Sequence, residues 1–247
     1  MDRGTMDDCA AKIKANLEGI QATIEKAAEK SGRPASAVKL VGVTKLLPLE
    51  IVQAGVDAGL TCFGENYPEQ ALDKIESLKE TPGIEWHMIG HIQSRKAEIV
   101  ARSFDMVHSL DRLKVARLLD RYCGEFGRTL PVLLEVNLSG EGSKSGWAAW
   151  DEDHWDALLA PFGQLAGLEN LEIRGLMSMP PLFEDPESTR PLYRRLRRLQ
   201  AFLKRSLPDL SWDELSIGTS FDYSVAIEEG ATMVRIGTEL FGPRPTR

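Results

Sequence analysis

Eight short runs rich in Val, Ile and Leu recur along the chain, and each is followed by a longer charged stretch with helical spacing. They are VKLVGVT (38–44), TCFGE (61–65), EWHMIG (85–90), DMVHS (105–109), PVLLEVNLS (131–139), EIRGLMSM (172–179), ELSIG (214–218) and TMVRIG (232–237). Runs this continuously apolar suit parallel strands covered by helices, and strand–helix alternation is the pattern of α/β folds. Eight such units in 247 residues are the arithmetic of a closed barrel. An open doubly wound sheet competes, but it ordinarily carries a Gly-rich GxGxxG after its first strand, where this chain reads TKLLPLE. The chain therefore reads as α/β, a single (β/α)8 TIM barrel over residues 1–247 with no linker between domains.

An extra helix precedes the barrel. Residues 7–31 place Ile13, Leu17, Ile20, Ile24 and Ala27 three and four apart, and the stripe stops at Gly32-Arg33-Pro34. The segment 190–205 carries a second stripe of Leu192, Leu196, Leu199 and Leu203 behind a basic face, which reads as a barrel helix with a solvated side. The Gly/Ser-rich stretch 139–147 reads as a mobile loop beside a site, with Trp147 either packing the next helix or serving as a lid.

A net charge of −7 gives no basic field to collect phosphodiesters, which argues against nucleic acid as a main partner. The acidic start MDRGTMDDC is not a signal peptide and no stretch approaches a membrane span, so the expected location is cytoplasmic with no membrane partner. Cys9, Cys62 and Cys123 are far apart and form no CxxC pair, so reduced thiols are expected rather than disulfides or zinc. His87 and His91 straddle a strand end where four-residue spacing does not align two rings, and no metal site is expected.

In a barrel the βα loops at the carboxyl ends of the strands build the site. Lys45 closes the first strand, with Leu46, Leu47 and Pro48 next to it. Two readings stand for it: a solvated strand end, or a partly desolvated amine able to form a Schiff base. IGTS (217–220) and IGT (236–238) end the seventh and eighth strands with glycines, hydroxyls and amides, where barrels commonly hold a phosphate. Strand eight closes against strand one, so a ligand bearing an aldehyde and a phosphate would fit both. Arg235, inside TMVRIG, is costly to bury unless it meets an acceptor in the barrel mouth or a carboxylate in an ion pair. Were the ligand pyridoxal phosphate, an arginine at the ring nitrogen would keep that nitrogen unprotonated and the ring a weak electron sink.

The segments GVTKLLP, FGENYPEQALDK, WHMIGHIQSRK, HSLDR, NLSGEGSKSGW, RGLMSMP and LSIGTSFDYSVAIEEGATMVRIGTELFG closely resemble those of the pyridoxal phosphate homeostasis proteins, from about residue 38 to 243. The resemblance implies a barrel like the cofactor domain of bacterial alanine racemase. It also implies that Lys45 forms the aldimine with pyridoxal 5′-phosphate, and that Asn66 and Met177 line the ring pocket. Ser216, Thr219, Ser220, Gly237 and Thr238 would hold the phosphate, and Arg235 would face the pyridine nitrogen. Three positions depart from the family pattern: Leu47 where many relatives have a second lysine, Arg95 where asparagine is common, and Thr219 where methionine is frequent. Lys144 matches the lysine of the family's SKSG loop, where it could meet the phosphate, a partner or solvent.

The function so implied is cofactor binding and delivery in vitamin B6 homeostasis, without strong turnover, with apo pyridoxal phosphate enzymes as possible recipients. An amino-acid racemase of low activity is the alternative, and a Schiff-base aldolase for phosphorylated sugars is a third. Two-base racemisation needs a second acid/base opposite the lysine. Of the four tyrosines, Tyr67 and Tyr223 remain conceivable in that role. A monomer is expected, with a dimer left open.

Overall fold

The computed structural model describes residues 3–142 and 144–243. Its strands are β1 (Lys39–Val43), β2 (Cys62–Glu65), β3 (Glu85–Met88), β4 (Met106–Leu110), β5 (Leu130–Asn137), β6 (Trp147–Ala148), β7 (Leu171–Met177), β8 (Glu214–Thr219) and β9 (Met233–Ile236). All pairings are parallel, and the ring closes because β9 pairs with β1 and β4 with β5. The two-residue β6 hangs on the end of β5 and takes no part in the ring. The eight remaining strands match the eight apolar runs to within two residues at each end.

The helices are α1 (Arg3–Lys30), α2 (Leu49–Asp57), α3 (Pro68–Leu78), α4 (Ala97–Ser103), α5 (Leu113–Glu125), α6 (Asp156–Leu165), α7 (Arg190–Ser206), α8 (Tyr223–Glu228) and α9 (Thr238–Phe241). The last is a single turn of four residues, too short to cover β9 and β1. The amino-terminal helix packs beside it, against the neighbouring helices. Its stripe of Ile13, Leu17, Ile20, Ile24 and Ala27 is buried, it packs on α2, α8 and α9, and Asn16 Nδ2 donates to Leu240 O at 2.9 Å.

Alternate strand residues point to opposite faces, so the barrel has two apolar compartments. The large one lies between strands and helices. The small one, Met106, Leu133, Met177 and Met233, fills the inside. The approach of β7 to β8 is so close that a Cβ on Gly175 would lie 1.9 Å from Glu214 O, and only glycine fits there.

Three expectations are corrected. The stretch around 139–147 is organised by Asn137: its Oδ1 accepts from Ser139 N (3.0 Å), Ser139 Oγ (3.2 Å) and Gly140 N (3.1 Å), and its Nδ2 donates to Glu141 O (3.0 Å). A side chain that supplies both donors and acceptors replaces the missing backbone ladder; Ser143 of this stretch lies outside the described residues. Trp147 is no lid, because its Nε1 donates to Leu110 O at 3.2 Å and its ring meets Phe162 edge-on at 5.3 Å. On α7, Tyr193 rather than Leu192 completes the buried stripe with Leu196, Leu199 and Leu203. Its basic face is paired, Arg194 with Glu229, Arg198 with Glu152 and Lys204 with Asp213.

Candidate functional site

A cavity of about 610 Å³ opens at the carboxyl ends of the strands. Lys45, Asn66, Met177, Thr219, Ser220, Arg235, Gly237 and Thr238 all line it. Ser216 does not. It is fully buried below, with its hydroxyl shared between Arg235 and His108.

Lys45 occupies a tight turn that ends β1. Leu47 N–H donates to Thr44 O at 3.0 Å, and Leu46 between them has φ 63°, the only positive φ outside glycine among the described residues. Leucine is strained there, a cost of roughly 1–2 kcal/mol that the surrounding structure must offset. Part of that offset comes from below. Lys74 Nζ donates to Thr44 O at 2.9 Å and to Glu65 Oε1 at 2.7 Å, while Thr44 Oγ1 donates to the same Glu65 oxygen at 2.9 Å. The turn that carries Lys45 is thereby fastened to β2 and α3.

Asn66 follows β2, and its buried Oδ1 has no hydrogen-bond partner among the described residues. Gly90 supports this residue closely, since a Cβ there would lie 2.6 Å from the Asn66 Cα. An unmade hydrogen bond on a buried amide is costly, which makes Asn66 a ready contact for a polar ligand.

On the opposite side of Lys45, β8 and β9 end in two short helices. Ser220 Oγ accepts from Gly237 N at 3.2 Å and Glu239 N at 3.3 Å, which ties the two strand ends into one wall. Asp222 Oδ1 accepts from Thr219 N at 2.8 Å and Thr219 Oγ1 at 3.0 Å, and Tyr193 OH donates to its other oxygen. The Thr219 hydroxyl is thus committed to Asp222 rather than open to the cavity. Helix starts leave backbone N–H groups without internal acceptors, and here those starts face the cavity.

Arg235 is 5% exposed and held by neutral acceptors. Its Nη1 donates to Ser216 O at 2.7 Å and Ser216 Oγ at 2.5 Å, and its Nη2 to Ser178 O at 3.0 Å. Among the described residues no carboxylate lies within ion-pair distance of it. Burial lowers its pKa, and Tyr193, Glu135 and Asp222 at longer range act to raise it. Lys144 lies to one side, donating to Pro180 O at 3.3 Å.

Glu135 was not anticipated. It lines the cavity from the middle of β5, four strands round the ring from β1 in either direction, and therefore faces Lys45 across the barrel. Burial, then Asp111, pushes its carboxyl up to about 7 against the pull of Arg235 and Lys144. The signal was present in PVLLEVNLS, a charged residue in an apolar run like the one that singled out Arg235. His91 also lines the cavity and pairs with Asp111 at 3.1 Å, whereas His87 points into the barrel, so the two do not meet. Neither Tyr67 nor Tyr223 is among the lining residues.

The alanine racemase N-terminal domain model matches residues 12–245. A pyridoxal phosphate homeostasis protein from Vibrio alginolyticus is 41% identical over 238 residues, 95% of this chain and 98% of that one. The chain belongs to the pyridoxal phosphate homeostasis protein family. Among solved structures, PipY of Synechococcus elongatus PCC7942 with pyridoxal phosphate bound is 35% identical, with a TM-score of 0.81 over 93% of this chain and all of that one. The alanine racemase of Streptomyces coelicolor A3(2) shares the fold alone, at 18% identity and a TM-score of 0.72, with 59% of its length covered. Of the three departures from the family pattern, Leu47 is buried, Arg95 Nε donates to Gln93 Oε1 at 3.1 Å, and Thr219 is turned to Asp222.

Proposed function

We propose that this protein binds pyridoxal 5′-phosphate in the 610 Å³ cavity and serves vitamin B6 homeostasis, holding and releasing the cofactor without strong turnover. One observation carries the reading: an amine, a buried guanidinium, an unpartnered amide oxygen and a wall of hydroxyls and backbone N–H groups line the same cavity. Pyridoxal phosphate supplies an aldehyde that condenses with amines. Lys45 is the amine placed to meet it, and its turn is rigidly based on Lys74 and Glu65. Ser220, Gly237 and Thr238 supply the hydroxyls and amides that suit a phosphate. Met177 and Asn66 bound the space for the ring, with Arg235 below as a fixed cation. Ser216 acts through Arg235 rather than on the ligand.

The whole chain acts as one cofactor-binding unit in this reading, with apo pyridoxal phosphate enzymes as recipients and the cytoplasm as its place. No helix among the described residues is long and apolar enough to cross a membrane. Against a racemase stands the lack of a tyrosine among the lining residues, although Glu135 faces Lys45. Absorption spectroscopy tests the proposal: the loaded protein is expected to show a visible band that Lys45→Ala abolishes. Amino-acid racemisation at about 1 per second or faster, lost with Lys45→Ala, would overturn the carrier reading in favour of an enzyme.

A further inference from the structure

A continuous line of hydrogen bonds crosses the barrel from its lower rim to the floor of the cavity. Glu85, the first residue of β3, meets His87 Nε2 through its Oε2 at 3.1 Å. His87 Nδ1 meets His108 Nε2 at 2.9 Å, and His108 Nδ1 meets Ser216 Oγ at 2.8 Å across the barrel interior. Arg235 Nη1 completes the line by donating to Ser216 Oγ at 2.5 Å. His87, His108, Ser216 and Arg235 are buried, whereas Glu85 borders a second cavity of about 400 Å³ at the lower end.

The proton arrangement follows from which groups can only give or only take. A guanidinium only donates and a carboxylate only accepts, so with a neutral His87 its Nε2 hydrogen goes to Glu85 and its Nδ1 accepts from His108. His108 Nδ1 accepts from Ser216 Oγ, which in turn accepts from Arg235. His108 then carries its hydrogen on Nε2 and donates to His87 Nδ1. His87 in turn donates from Nε2 to the Glu85 carboxylate. Every bond in the line then points toward Glu85.

The surroundings keep this polarity. The His87 hydrogen bond, with Lys39 at 2.7 Å, holds the Glu85 carboxyl down at about 2 against the opposing effect of burial. Burial above all, helped by the Arg235 and Lys39 cations, keeps His108 from taking a second proton. The thiol of Cys62, beside Glu85 and Lys39, is pushed upward by burial. Reversing the line would either aim a lone pair of His87 at an anion or put a second proton on its buried ring. Bonds in such a chain polarise one another, and a half-satisfied buried network is costly.

We propose that Glu85, His87 and His108 are positioning residues: through Ser216 they fix the plane and the hydrogen-bond direction of Arg235, and so tune the ring of a cofactor bound above it. The proposal rests on the reading of the cavity as a pyridoxal phosphate site. It gives Arg235 its function without a carboxylate partner, since the only anion on the line is remote and the cation's near contacts are all neutral.

The first test needs no cofactor. In the full-length protein labelled with 15N-histidine, His108 is expected as the neutral Nε2–H tautomer at pH 7. An Nδ1–H or doubly protonated His108 would overturn the line. The second uses the protein loaded with pyridoxal phosphate, read by absorption and equilibrium dialysis. His108→Leu is expected to shift the visible band and weaken binding tenfold or more. His108→Gln, which retains an acceptor for Ser216 and a donor for His87, is expected to restore both. Should His108→Leu not fold, Glu85→Gln carries the test, with a band shift in the same direction expected. Variants that bind with the wild-type spectrum and affinity would refute the relay, whereas a wild type that fails to bind would refute the cofactor reading instead.

Discussion

Lys74 and Glu65 form a buried ion pair at 2.7 Å directly beneath the Lys45 turn, with side-chain exposures of 8% and 1%. Lys74 also reaches the carbonyl of Thr44, so one ammonium joins α3, β2 and the end of β1. The other Glu65 oxygen has no partner among the described residues, which makes the pair depend wholly on Lys74 and Thr44.

Removing one partner strands the other. Lys74→Met leaves a buried carboxylate and is expected to cost about 3–5 kcal/mol in urea unfolding. The double variant Lys74→Met/Glu65→Gln is expected to recover a large part of that loss. Equal stability of the single and double variants would show that the pair does not support the turn.

Leu46 carries positive φ next to the lysine. A β-branched residue tolerates that region less well than leucine, so Leu46→Val is expected to destabilise by about 1 kcal/mol more than Leu46→Asn. Asparagine is expected at or above wild-type stability. Thermal unfolding of the three proteins decides it.

Gly90→Ala is expected to push on Asn66, because the new Cβ would fall 2.6 Å from the Asn66 Cα and carbonyl oxygen. Overpacking of this kind costs about 1–3 kcal/mol. Cofactor affinity measured by dialysis should fall roughly tenfold, as a displacement worth about 1.4 kcal/mol gives.

Glu135 makes stability pH-dependent in a definite direction. Its folded pKa of about 7 lies above the ordinary carboxyl value of 4.5, so folding favours the protonated form. The contribution is complete below about pH 4.5 and is lost as pH rises through about 7. Glu135→Gln should therefore unfold later than wild type at pH 8, by on the order of 1–3 kcal/mol, and the difference should shrink at pH 5. A constant difference between the two pH values would refute the shift.

The strands were legible because parallel barrel strands are buried on both sides and read as unbroken apolar runs. Lys45, Asn66, Ser220 and Thr238 were legible for a related reason, since polar residues at strand ends fall together once the barrel closes. What escaped depends on contacts that cross the interior. In the sequence His87 is weighed only as a metal ligand with His91 and His108 only as a polar strand end, and it is the inward pleat that brings them and Ser216 into one line. The family pattern placed Ser216 with the phosphate ligands, whereas here its hydroxyl is taken up below the cavity. The stretch after β5 looked loose by composition, but one residue just before it, Asn137, supplies the bonds that shape it.

The amino-terminal helix has a consequence for how the chain assembles. Asn16 bonds to Leu240, 224 residues away, and the surface that α1 covers is made by α2 from one end of the barrel sequence and by α8 and α9 from the other. Its docking on α2 joins near neighbours in sequence, whereas its contacts with α8 and α9 must wait for the far side of the barrel. Closing that distance is entropically expensive and belongs to the slow class of folding contacts. Ring closure and the seating of α1 on α8 and α9 form one late event, and an interrupted chain carries an unsealed apolar seam that a protease or chaperone can recognise.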